Sequence, residues 1–161
     1  PCGYGFPAIL GAKIGCPDTP VIGFAGDGAF GISMNEMSSC ARKEWPAITM
    51  VIFRNYQWGA EKRNSILWFD DNFVGTELDP ELSYAKVADA CGLKGVTVKT
   101  MEETTKAIKD SCENQKNGVT TFIEVILNQE LGEPFRRDAM KKPVSVAGIK
   151  KTDMKPQKGL N

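Results

Sequence analysis

The chain has 161 residues, 42% of them hydrophobic and 25% charged, which suits one soluble domain with a buried core. Twenty basic residues balance twenty acidic ones, so the charge gives no reason to expect nucleic acid or an anionic membrane as a partner. Histidine is absent. That excludes Ser-His-Asp and Cys-His catalysis within the chain, along with most zinc and copper sites, and leaves a hard cation on oxygen ligands as the expected metal.

Pro1, Gly3, Gly5 and Pro7 open the sequence as if in the middle of a longer one, and a piece from the C-terminal part of a larger protein is expected. Val21–Ala25 reads as a short buried strand, Ile48–Phe53 as a second, Val96–Val98 as a third and Thr120–Leu127 as a fourth. Between the first two, Ser33–Lys43 has a helical pattern with Met34, Met37 and Ala41 on one face. Asp79 and Pro80 suit the start of a helix running to about Cys91. Thr100 and Glu103 have the spacing of a capping box, for a helix ending near Asn117–Gly118. Strand and helix in alternation predict an α/β fold, a doubly wound parallel sheet with helices on both faces. The expected domain covers residues 1–128. The tail, 129–161, carries Pro134, Pro143 and Pro156 and is expected to pack on the domain or on a partner subunit. Cys2, Cys16, Cys40, Cys91 and Cys112 form no CxxC pair and read as reduced thiols of a cytoplasmic protein. No apolar run approaches the roughly 20 residues a membrane span needs.

The chemistry concentrates after the first strand, in Ala25-Gly26-Asp27-Gly28-Ala29-Phe30-Gly31. Ligands of open parallel sheets bind at the carboxyl ends of strands, and glycine lets the main chain approach a phosphate. Gly26, Gly28 and Gly31 also match the GxGxxG dinucleotide fingerprint, with Arg54 at the end of the second strand suited to a phosphorylated ribose, so an NADP-binding domain is one reading. A plain strand-to-helix turn capped by Asp27 is another. Asp27 itself favours a third. A carboxylate beside a diphosphate is repelled unless a cation lies between them. A magnesium-type ion takes about six oxygens. Asp27 supplies one, a diphosphate others, and Asn55, at the end of the neighbouring parallel strand, can reach the same ion.

This arrangement resembles the motif of the thiamine-diphosphate (ThDP) enzymes, in which GDG is followed, after a helix, by an asparagine pair. Gly26-Asp27-Gly28 matches the first part, and Arg54-Asn55 stands where the pair lies, with Arg54 in place of the first asparagine. Gly3-Tyr4-Gly5-Phe6-Pro7-Ala8 is similar to the stretch before GDG. Within these enzymes, Phe53–Lys62, Glu130–Met140 and Lys142-Pro143-Val144 look like the sulfoacetaldehyde acetyltransferase family, where Arg-Asn replaces the pair. Another ThDP enzyme, such as an acetolactate-synthase-like carboligase or a decarboxylase, is the alternative within the superfamily.

The resemblance implies ThDP and Mg2+ as cofactors, held by Gly26, Asp27, Gly28, Ala29, Asn55, Gln57 and Trp58. The metal ligands would be Asp27, Asn55 and the main-chain carbonyl of Gln57. The implied reaction takes sulfoacetaldehyde and phosphate to acetyl phosphate and sulfite, as in sulfonate and taurine breakdown. Glu61 is the candidate proton-transfer group, against the alternative of a solvated glutamate. Trp58, with Tyr56, either lines the pocket or is core. Arg54, Arg136 and Arg137 are candidates for binding the sulfonate and phosphate anions, against surface or interface salt bridges. The activating glutamate of the superfamily comes from a different domain, so the resemblance implies missing pyrimidine-binding and central domains, a homodimer or homotetramer, and no activity in the isolated chain.

Overall fold

The computed structural model describes residues 1–130. The described residues divide into two compact units, Pro1–Tyr56 with Asp79–Asn128, and Gln57–Leu78 with Gln129 and Glu130. The second unit thus draws residues 57–78 from inside the span expected as one domain.

The first unit holds a four-stranded, all-parallel sheet of β1 (Ile22–Gly26), β2 (Thr49–Arg54), β3 (Lys94–Val98) and β4 (Thr121–Ile126), in the order β1-β2-β4-β3. All four lie within two residues of the strands read from sequence. The order explains the layering. The chain steps one way across the sheet from β1 to β2 and on to β3, then steps back to β4. Right-handed crossovers therefore put the helix before β4 on the face opposite the earlier ones. Met50, Ile52 and Phe122 face one way, into a core with Phe6 and Leu10 of α1 (Gly5–Gly15), Phe30 of α2 (Asp27–Gly31), Met37 and Cys40 of α3 (Met37–Cys40), and Ala88 of α5 (Tyr84–Ala90). The alternate residues Val51, Ile123 and Val125 face the other way, onto Ala107 of α6 (Met101–Lys116). This is the doubly wound α/β fold.

The Thr100–Glu103 capping box forms with both of its bonds, and α6 ends at Lys116 with Asn117 as its C-cap, before Gly118, which has φ 72°. Two helices depart from expectation. Over 33–43 there is no continuous helix, only a 3-10 turn, Met34–Glu36, followed by α3. Ser38 donates to the Asn35 carbonyl and Ser39 to the Glu36 carboxylate, local bonds that compete with the helical ladder. Ala41, expected on the apolar face, is exposed. Asp79 does not cap α5. That helix starts at Tyr84, with the Ser83 hydroxyl accepting from Lys86 N. The Asp79 and Leu82 carbonyls, which an earlier start would need as helical acceptors, accept from the Arg54 guanidinium instead. Helix α1 carries apolar residues on more than one side, with Phe6 buried and Ile14 exposed, so it offers no clear period.

In the second unit, α4 (Gly59–Trp68) follows Gln57, which pairs across an antiparallel bridge with Glu77. Trp58 N donates to the Thr76 carbonyl at 2.7 Å, and the Gln57 side chain donates to the Gln129 carbonyl at 2.9 Å.

Candidate functional site

The candidate residues of the first unit gather at the carboxyl ends of β1 and β2. Their register pairs Gly26 with Phe53, so the next residues on each strand, Asp27 and Arg54, come side by side. Gly26 is extended and Asp27 opens α2, turning its side chain inward until only 1% of it is exposed. Asp27 Oδ1 accepts from Gly28 N at 2.9 Å. Oδ2 accepts from Tyr56 N at 2.7 Å and from Arg54 Nη1 at 3.0 Å. Tyr56 donates that N–H from a left-handed backbone, φ 62°, a conformation an aromatic residue adopts only when its surroundings hold it there. Half-buried Asn55 lies between the two residues that bond Asp27.

Arg54 is fully buried. Besides Asp27, its Nη2 donates to the Asp79 and Leu82 carbonyls, and its Nε lies 3.7 Å from Glu124 Oε1. The guanidinium stacks over the Tyr56 ring at 4.3 Å and lies 5.1 Å from the Tyr84 ring. Its ionic partners are thus carboxylates of the protein itself. Glu124, 1% exposed in the middle of β4, accepts from the Ser83 hydroxyl, Tyr84 N and Ala85 N, which ties the start of α5 to the sheet. Tyr84 donates its hydroxyl to the Asp27 main-chain oxygen at 3.1 Å. Burial pushes its phenol above the ordinary range; nearby Arg54 opposes that shift and the Asp27 and Glu124 charges add to it.

Two features bear on what the site accepts. A Cβ at Gly26 would meet no atom within 4 Å. The fold's own packing does not demand glycine there, and the room it leaves lies at the strand ends, where ligands of such sheets bind. The side chains that could hold a cation here, Asp27 and Asn55, offer hard oxygens. No group of three or more His, Cys, Asp or Glu able to hold a metal occurs among the described residues, so a cation here needs main-chain or ligand oxygens to complete its shell.

Gln57, Trp58 and Glu61 belong to the second unit. Gln57 is 2% exposed, Trp58 precedes α4, and Glu61 sits exposed in the first turn of α4. Arg136 and Arg137 lie outside the described residues. Glu124 and Tyr84 are not among the residues expected at the site from sequence. Glu124 had a signal, since a carboxylate inside the apolar run TTFIEVIL needs an internal partner.

The family model of the thiamine pyrophosphate enzyme C-terminal TPP-binding domain matches residues 1–125, and the chain belongs to that family. Among curated relatives it is 75% identical over 160 residues to a probable sulfoacetaldehyde acetyltransferase of Rhizobium meliloti (strain 1021), covering 99% of this chain and 27% of the relative. It is 69% identical over 157 residues to a sulfoacetaldehyde acetyltransferase of Roseovarius nubinhibens, covering 98% and 26%. The chain therefore spans about a quarter of the length of these relatives. A solved ThDP-dependent 4-hydroxybenzoylformate decarboxylase of Rhodococcus jostii RHA1 superposes with a TM-score of 0.71 at 29% identity, over 81% of this chain and 24% of that one.

Proposed function

We propose that this chain is the diphosphate- and magnesium-anchoring domain of a ThDP-dependent acetyltransferase that converts sulfoacetaldehyde and phosphate to acetyl phosphate and sulfite. The observation that carries the anchoring role is the buried Asp27 carboxylate, set between two glycines at the end of β1 and bonded by the residues flanking Asn55. The substrate is carried over from the names of the relatives.

In this reading Asp27, Asn55 and the Gln57 carbonyl hold Mg2+, and the main chain at Gly26, Gly28 and Ala29 accommodates the diphosphate. Bound ThDP supplies a nucleophilic carbon for the aldehyde and a sink for the electrons left as carbon chemistry proceeds. The overall reaction breaks a C–S bond and forms a C–O bond to phosphate. One proton leaves the aldehyde carbon and one arrives at the carbon that loses sulfite, so a proton-carrying side chain is needed, and Glu61 is the candidate. Trp58 shields the reacting centre from water. Because Arg54 is engaged internally, Arg136 and Arg137 take the substrate anions.

The test uses the full-length enzyme with sulfoacetaldehyde, phosphate, ThDP and Mg2+, assaying sulfite and acetyl phosphate. Both products should form, and both should be lost with EDTA or with Asp27→Ala. Metal-dependent ThDP binding without sulfite release would keep the anchoring role and overturn the substrate, favouring a carboligase or decarboxylase. ThDP binding indifferent to EDTA and to Asp27→Ala would overturn the anchor.

A further inference from the structure

Three buried charges meet across three adjacent strands. Arg54 stands at the end of the inner strand β2, Asp27 follows its neighbour β1, and Glu124 lies on β4, its other neighbour. Side chains alternate along a strand, and β4 pairs Glu124 with Ile52 and Ile126 with Arg54, so Arg54 and Glu124 share one face. None of the three side chains is more than 2% exposed. One guanidinium and two carboxylates leave a net charge of −1. An ionic group sealed inside a protein is held there only by good geometry and hydrogen bonds on its remaining donors. Here the Asp79 and Leu82 carbonyls accept from Nη2 and the Tyr56 ring stacks on the guanidinium, while Nε has no hydrogen bond among the described residues and only the 3.7 Å ion pair with Glu124.

We propose that Arg54 is a positioning residue for the Asp27 carboxylate. With Tyr56 N, it fixes Oδ2 in a single orientation before the divalent cation arrives, and Glu124 holds the guanidinium from behind. This rests on the reading of Asp27 as a metal ligand. The geometry separates orientation from charge. By Coulomb's law alone, a cation beside Asp27 repels a second cation, so removing the positive charge would strengthen metal binding. By orientation, loosening Arg54 lets the carboxylate turn away and weakens metal binding. Lysine retains the charge but lacks the planar fork that reaches a carboxylate and two carbonyls at once.

The experiment uses full-length enzyme stripped of metal and titrated with Mn2+ at fixed ThDP, reading free and bound ion by electron paramagnetic resonance. Arg54→Lys should raise the Mn2+ dissociation constant at least fivefold. The double variant Arg54→Met with Glu124→Gln keeps the net charge at −1 and should do the same. In both, the bound-ion spectrum should broaden as the ligand carboxylate loses its fixed orientation, a change that a purely scaffolding role would not produce. Dissociation constants within twofold of the parent in folded variants overturn the inference. Should both arginine variants fail to fold, Glu124→Gln decides through the bound-ion spectrum, since losing its negative charge weakens binding by charge alone: a broadened spectrum is expected, and an unchanged one overturns the inference. If Asp27→Ala binds Mn2+ as well as the parent, the metal-ligand reading falls too; if Asp27→Ala loses the ion while the Arg54 variants keep it, only the positioning role falls.

Discussion

The Gln115 side chain donates to the Thr49 hydroxyl at 2.7 Å while it closes a two-way bridge to the main chain of Val21. One residue of α6 thereby ties the entry of β1 to the start of β2, on the face opposite α1. Losing these bonds leaves the Val21 N–H and the Thr49 hydroxyl without the partner Gln115 gives them, while the Val21 carbonyl still accepts from Thr49 N. Gln115→Leu keeps the bulk and removes all three bonds, and it should destabilise the first unit by about 2–4 kcal/mol. Hydrogen exchange is the local readout. Amides of β1 and the first residues of β2 should lose protection, with those of β3 little changed.

Gly95 marks a second close approach. A Cβ at this position would lie 2.0 Å from the Ala85 carbonyl oxygen, with main-chain atoms of α5 as the obstacle. Main chain does not swing aside as a flexible side chain does, so Gly95→Ala must push α5 away from β3. Overpacking of this kind costs about 1–3 kcal/mol. Ala85 follows Tyr84, whose hydroxyl reaches the Asp27 carbonyl, so the disturbance should travel to the site. Both a lower thermal midpoint and weaker ThDP binding are expected in full-length Gly95→Ala enzyme, and a parental midpoint would contradict the close approach.

The strands were legible because β2 and β4 are largely buried on both faces and read as mainly apolar runs, interrupted in β4 by Glu124, while the capping box of α6 is a purely local signal. That the ends of β1 and β2 bring Asp27 beside Arg54 was legible for a different reason. Parallel strands must end side by side, so spacing along the sequence became proximity in space. Arg54 was misjudged as to partner because sequence offers no measure of burial at a strand end, and its two internal carboxylates come from positions 27 residues before and 70 residues after it. The start of α5 was misplaced for the same cause. Asp79-Pro80 has good local capping chemistry, but the Arg54 guanidinium draws the Asp79 and Leu82 carbonyls out of the helical ladder, a tertiary bond overriding a local preference.

The capping box offers a test of modest size. The Thr100 hydroxyl accepts from Glu103 N at 3.1 Å, and the Glu103 carboxylate accepts from Thr100 N and from Lys99 N. Thr100→Ala removes the first of these and should cost about 1 kcal/mol. Thr100→Ser retains the hydroxyl and should recover most of it. Urea unfolding of the two variants checks the order, parent and serine above alanine.

Cys40 gives the chain a pH limit on the alkaline side. Burial pushes its thiol from 9.0 up to about 12, and the neighbouring Glu36 charge adds to the shift. A thiol is neutral when protonated, so the fold favours the protonated form, and unfolding releases a proton once the pH passes the unfolded value. The contribution is therefore intact below pH 9.0 and is lost as pH rises toward 12. Tyr84, also raised by burial, adds to the same decline. Two measurements follow. At pH 8, iodoacetamide should label the exposed Cys2 and Cys16 and spare Cys40 until the protein is unfolded. Between pH 9 and 11, the fall in thermal midpoint should be shallower in Cys40→Ala than in the parent. Equal slopes would mean that the Cys40 thiol titrates alike in the folded and unfolded chain.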